Sequence, residues 1–161
     1  MPTAAAARRA RLAPFAIAAT VAVATSGAPA RAIDSCVLPS VESLSFGAYD
    51  PLLGAPVDGT GSVTYYCTGA AETITITIDR GASTSFWPRH MTSAGGTLDY
   101  NLYLDPARAN VWGDGSAGTG HYQETAVVDL SQVLTIFGRI PGGQNARVGS
   151  YDDTLVITLS F

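Results

Sequence analysis

Hydrophobic and polar positions alternate with a period of two through much of this chain, which is the pattern of strands that bury one face and leave the other wet. The cleanest run is Thr73-Ile74-Thr75-Ile76-Thr77-Ile78, β-branched throughout and bounded by Asp79-Arg80-Gly81. Gly61–Cys67 predicts a strand with Val63, Tyr65 and Cys67 on one face, and Leu98, Tyr100, Leu102 and Leu104 alternate with polar neighbours in another. Val133–Phe137 is a further strand. Near the start, Val37–Pro39 and Ser43–Phe46 read as a strand interrupted by Pro39, and Phe86–Met91 reads as an edge segment because Pro88 cannot donate to a ladder. The last stretch, Gly149–Phe161, places Tyr151, Leu155, Ile157, Leu159 and Phe161 on one apolar face opposite Thr154, Thr158 and Ser160. This strand carries no lysine or arginine and the given chain ends on it, so it predicts an open sheet edge that needs a partner.

Between the strands lie turn signals: the Pro/Gly loop Asp50–Asp58, the glycine-rich loop Asp105–Gly120, expected to be exposed, and Pro141-Gly142-Gly143-Gln144. No segment after residue 32 combines helical periodicity with caps. Short strands at turn-marked intervals predict an all-β, antiparallel β-sandwich in one domain.

The N-terminus changes the setting. Arg8, Arg9 and Arg11, the apolar run Leu12–Ala24 and the small-x-small site Ala30-Arg31-Ala32 predict a signal peptide over 1–32 and a mature domain over 33–161, exported by the general route in preference to a twin-arginine one. No membrane span is expected in the mature chain. Without the leader the cations are Arg80, Arg89, Arg108, Arg139 and Arg147 against 13 acidic residues, a formal charge of −8 with no lysine. That balance argues against nucleic acid or an anionic lipid surface as partner. In an exported chain the two cysteines, Cys36 and Cys67, read as a disulfide joining the first two strands, worth roughly 3–4 kcal/mol in the chain-entropy model.

Candidate chemistry is sparse. Asp114-Gly115-Ser116-Ala117-Gly118 approaches a nucleophile elbow but begins with Asp and lacks a strand-turn-helix setting, so a glycine turn explains it better. His90 and His121 are far apart and without a metal-ligand pattern. Asp152 and Asp153, adjacent on one strand, direct their carboxylates to opposite faces, which is unsuited to acid/base work. No catalytic residue, cofactor or metal site is expected. Trp87 and Trp112 leave open a second class of function, an adhesin or carbohydrate-binding module using their loops.

The chain over Cys36–Phe161 resembles the spore coat protein U domain family, which includes subunits of archaic chaperone–usher pili. The resemblance rests on Leu44-Ser45-Phe46-Gly47-Ala48-Tyr49-Asp50, Gly61-Ser62-Val63-Thr64, Tyr100-Asn101-Leu102-Tyr103, Trp112-Gly113-Asp114-Gly115, Phe137-Gly138-Arg139-Ile140-Pro141, and the terminal Tyr151-x-Asp153-Thr154 strand ending in Phe161. It implies an immunoglobulin-like sandwich lacking its last strand, with an open groove beside Tyr151, Leu155, Ile157, Leu159 and Phe161. It further implies a structural subunit of a pilus or spore or cyst coat, carried through the periplasm to the cell surface by a periplasmic pilus chaperone and an outer-membrane usher. There other subunits of the same assembly complete it by donor-strand complementation, an instance of β-augmentation. One departure stands out: only Ile33, Asp34 and Ser35 separate the expected cleavage site from Cys36. A chain of that form would accept a strand without offering one.

Overall fold

The computed structural model describes residues 33–161; the expected signal peptide lies outside them. Eight strands and no helix make up the described chain: β1 (Ile33–Glu42), β2 (Val57–Gly69), β3 (Thr73–Ile78), β4 (Arg89–Ser93), β5 (Gly96–Tyr103), β6 (Tyr122–Thr125), β7 (Gln132–Ile140) and β8 (Ile157–Ser160). All pair antiparallel, in a five-stranded sheet ordered β1-β2-β7-β5-β4 and a three-stranded sheet ordered β6-β3-β8.

The predicted alternation builds the core. Val63, Tyr65 and Cys67 of β2 face Ile74, Ile76 and Ile78 of β3 across the interior, joined by Leu98, Tyr100 and Leu102 of β5 and Ile136 and Ile140 of β7. The threonines of β3 take the opposite, solvent-facing side, so its Thr/Ile alternation resolves into a wet face and a dry one. Cys36 and Cys67 are bonded between register partners of β1 and β2, 31 residues apart in sequence, as the sequence predicts.

The structure departs from the sequence reading in several places, among them β2, which begins at Val57 within the loop expected over Asp50–Asp58. Strand β1 does not break at Pro39: it runs to Glu42, and the proline is absorbed at a register shift between Val37 and Ser40 on the outer strand of the sheet, where a missing N–H costs no ladder bond. Ser43–Phe46 is not a strand. The edge segment expected over Phe86–Met91 starts only at Arg89, past a cis Trp87–Pro88 bond. The loop Asp105–Gly120 is not uniformly exposed, since Val111 and Trp112 are fully buried and Trp112 Nε1 donates to Ile76 O at 3.0 Å.

Trp112 lies over a charged keystone. Arg89, 0% exposed, points its guanidinium inward, where it donates to Asp79 O, Trp112 O and Asn101 Oδ1 at 2.6–3.1 Å and stacks on the Phe86 ring. Burial holds its pKa below the usual arginine range, and neutral oxygens in a fixed array replace its hydration shell. Asp79 passes this order on. Its N–H donates to Val156 O and its carboxylate accepts from Val156 N, fixing the entry to β8.

Candidate functional site

The terminal segment is two structures rather than one long strand. Asp152 bridges Thr92 at the outer edge of β4, with bonds of 2.9 and 3.1 Å in the two directions, and only from Ile157 does the chain pair with β3. The segment therefore crosses from one sheet to the other, and pairing begins six residues later than the alternation predicts. The alternation itself holds: Tyr151, Leu155, Ile157 and Leu159 are half-buried and their neighbours Asp152, Thr154, Val156, Thr158 and Ser160 are exposed. Phe161 remains exposed at 55%.

A groove of about 700 Å³ opens between the sheets beside this segment. Its floor is apolar, formed by Met91, Leu98, Tyr100, Leu102, Ile136 and Ile140 with Ile78. One wall is Tyr151–Ile157. Of the five residues expected to border it, Tyr151, Leu155 and Ile157 line the groove, whereas Leu159 packs against the core beyond its end and Phe161 stands outside it. At the rim Asp153 ties the wall down: it accepts from Tyr100 Oη at 2.7 Å and from Ala82 N at 3.0 Å. Burial pushes the Tyr100 phenol up, and the carboxylate's hydrogen bond adds to that shift, so this hydroxyl stays a donor across the working pH range.

The opposite wall, Ser43–Tyr49, was not foreseen from periodicity as a groove element. It lies against the inner face of the five-stranded sheet on a bed of three glycines. A Cβ on Gly138 would meet Leu44 Cδ1 at 2.6 Å and Phe46 Cζ at 2.8 Å; one on Gly59 would meet Ser45 O at 2.7 Å, and one on Gly61 would meet Glu42 O at 2.7 Å. Side chains on these strands would lift the wall off the sheet, so glycine here provides close approach. The Phe46 ring meets Tyr100 edge-on, centroids 6.0 Å apart. Among the described residues no backbone hydrogen bond is made by Ser45–Ala48. The signal was present in the sequence as Gly59-x-Gly61 and Gly138 within otherwise strand-like runs, where a missing side chain marks a close neighbour.

The four sheet edges are not treated alike. Strand β1 carries Pro39 and a register shift, β6, which is as short as β8, has Glu124 within it, and β4 is covered by Asp152. These are the devices by which sheets avoid adding foreign strands. Ile157-Thr158-Leu159-Ser160 has none of them: no charge, no proline, no irregularity, and on its outer side no partner among the described residues.

The other candidates are dispersed. His90 pairs with Asp99 at 2.7 Å in a partly exposed contact on β4 and β5, His121 sits against the Gly115 turn, and Ser116 serves that turn by accepting from Thr119. No group of three or more metal-ligating side chains forms among the described residues. Trp87 is 51% exposed but Trp112 is 0% exposed, so the two do not form a shared aromatic surface. Among the described residues no helix is long and apolar enough to cross a membrane.

Comparison with known proteins agrees with this architecture. The Spore Coat Protein U domain model matches residues 18–158. Protein U of Myxococcus xanthus is 37% identical, over 74% of this chain and 72% of its own. The chaperone–tip adhesion subunit pre-assembly complex of the archaic chaperone–usher Csu pili of Acinetobacter baumannii has a similar fold, with a TM-score of 0.56 at 18% identity. The similarity covers 79% of this chain and 39% of the matched one, so this chain spans about two fifths of that protein's length.

Proposed function

The chain belongs to the spore coat protein U domain family, and from that premise we propose that it is an exported, non-enzymatic structural subunit of a bacterial surface assembly. In this reading a single extended strand from another polypeptide enters the groove between Ser43–Tyr49 and Tyr151–Ile157. A periplasmic chaperone supplies the strand in transit, and a neighbouring subunit delivered through an outer-membrane usher supplies it in the assembled pilus or coat. The observation that carries the reading is the apolar groove that runs up to Ile157 at the start of β8, a strand whose outer edge has no partner among the described residues and carries neither the proline, the charge nor the cover found on the other three described edges.

The chemistry narrows the occupant. Charged groups lie on the walls, at Glu42, Arg147, Asp152 and Asp153, and none on the floor, so the complementary segment is neutral and apolar through its middle. Ser45–Ala48 makes no backbone hydrogen bond among the described residues, and in the other wall Asp152 and Val156 are bonded to Thr92 and Asp79 while Leu155 between them is not, so the occupant would supply backbone donors and acceptors to these free groups while alternate side chains enter the floor. Three or four such side chains, at roughly 1.5–3 kcal/mol each, would contribute on the scale of a whole domain's stability.

Expression in a periplasm with and without a cognate chaperone tests the reading. Yield, solubility and thermal stability should all rise with the chaperone; equal values in both cases would refute strand capture. In Ile157→Asp a buried carboxylate at the groove should abolish assembly while the disulfide still forms. Normal assembly of that variant would show that the wrong face has been chosen.

A further inference from the structure

The Leu44–Asp50 motif has so far served only as a wall, yet its last aromatic residue makes a connection that a wall alone does not need. Tyr49 Oη donates to Pro141 O at 3.2 Å and accepts from Gln144 N at 2.7 Å. The Gln144 side chain in turn behaves as a surrogate peptide group: Oε1 accepts from Asp99 N at 2.8 Å and Nε2 donates to Asp99 O at 2.9 Å. The reason lies in the strand lengths. Strands β5 and β7 pair only over Asn101–Tyr103 with Phe137–Arg139, so Asp99 is beyond the ladder on that side and its backbone groups need another partner. From the same turn the chain runs on through Ala146–Ser150 to the second wall, which is fixed to β4 by the Asp152–Thr92 bridge.

Both walls are therefore referenced to one hairpin, β4–β5, in which His90 and Asp99 are register partners. The second wall reaches it through Asp152, and the first through Tyr49, the 141–144 turn and Gln144. Apart from the packing of Phe46 on Tyr100 and Gly138, the far end of the first wall has only this hydrogen-bonded tie, since Ser45–Ala48 makes no backbone hydrogen bond among the described residues.

We propose that Tyr49 and Gln144 form a latch that holds the two groove walls one strand apart, making them positioning residues for capture of an apolar, extended partner segment. The proposal rests on the strand-acceptor reading above and adds a control on it. With the latch closed the unoccupied groove is pre-shaped and little ordering is needed on binding; with it open the first wall is free to collapse onto the floor or swing away, and the entering strand must rebuild it. The Tyr49 ring lines the groove and its hydroxyl makes the latch, so a variant that keeps the ring separates the two roles.

The test uses the full disulfide-bonded chain and two separate readouts. Spin labels on Ser45→Cys and Thr154→Cys report the wall-to-wall distance by pulsed electron paramagnetic resonance. Tyr49→Phe, which keeps the ring and removes the hydroxyl, and Gln144→Ala, which removes the surrogate peptide, should each broaden or shift that distribution. An unchanged distribution in both variants overturns the latch. The second readout is the affinity of a synthetic nine-residue peptide with valine and threonine alternating, measured well below the melting temperature. Loss of the latch should weaken it about tenfold, the scale of one or two hydrogen bonds' worth of preorganisation. If the variants lose thermal stability but bind the peptide as tightly as the parent, the residues are merely structural and the proposal fails. If the distance responds but the parent itself binds no peptide, the strand-acceptor reading is what fails, and the positioning role falls with it.

Discussion

Gly138→Ala is the smallest change that should dislodge a groove wall. The added methyl group would stand 2.6 Å from Leu44 Cδ1 and within 2.8–2.9 Å of two atoms of the Phe46 ring, well inside van der Waals contact. The backbone at Gly138 has no need of a left-handed conformation, so the cost is steric. Overpacking of this kind destabilises by about 1–3 kcal/mol, or roughly 3–12 °C in melting temperature for a domain of this size. Truncating the half-buried Leu44 to alanine should cost about 1–2 kcal/mol alone, through lost burial. In the double variant the alanine methyl occupies space that Leu44 has vacated, so the two costs should not add, and the total should fall short of their sum by at least about 1 kcal/mol. Chemical denaturation of the parent, both singles and the double gives this coupling directly. Costs that add to within about 0.5 kcal/mol would mean that Leu44 does not rest on Gly138, and the glycine-bed account of the wall would be wrong.

Three further outcomes are expected. Arg89→Lys should cost about 3 kcal/mol or more in denaturant melts, because an ammonium point charge cannot reach Asp79 O, Trp112 O and Asn101 Oδ1 together; a loss under 1 kcal/mol would mean that the fork geometry is irrelevant. Replacing Cys36 and Cys67 by serine should lower stability by roughly 3–4 kcal/mol, with the same β1–β2 register retained in amide-exchange patterns. The Arg139 guanidinium hydrogen-bonded to Asp58 holds that carboxyl below the usual carboxylate range, so its contribution is present above pH 4 and is lost as pH falls through the folded-state value. The pair is partly exposed, and Asp58→Asn should therefore cost less than about 1 kcal/mol at pH 7, with the cost shrinking as pH is lowered through the folded-state value; a loss that does not change with pH would exclude the ion pair as the cause.

Period-two patterning was enough to locate β2, β3, β5 and β7, because each has one face in the interior and alternation is the direct imprint of that burial. It was less informative where the backbone departs from a ladder. Ser43–Phe46 alternates like a strand, yet its apolar side chains seat on glycines of β2 and β7 without pairing to them. The terminal segment alternates over more than ten residues, but Asp152 is claimed by β4 before Ile157 is claimed by β3, and side-chain pattern does not record which sheet a backbone joins. Trp112, surrounded by glycines and polar residues, reads as a loop tip; its burial follows from long-range bonds to Leu102 and Ile76 that leave no local trace. Of the groove, the Tyr151–Ile157 wall was legible from its alternation, and the Ser43–Tyr49 wall was visible only through its glycine partners.

The bare edge of β8 also has a kinetic side. An unescorted copy meets others at a rate that rises with the square of its concentration, whereas capture by a strand donor rises only in proportion to it. Doubling the supply of this chain against a fixed supply of donor would thus double the demand for capture but quadruple the rate of loss. The ratio of donor to chain, more than the chain's own stability, would set how much survives, and titrating donor expression at constant chain expression should give a threshold in soluble yield near equal amounts of the two.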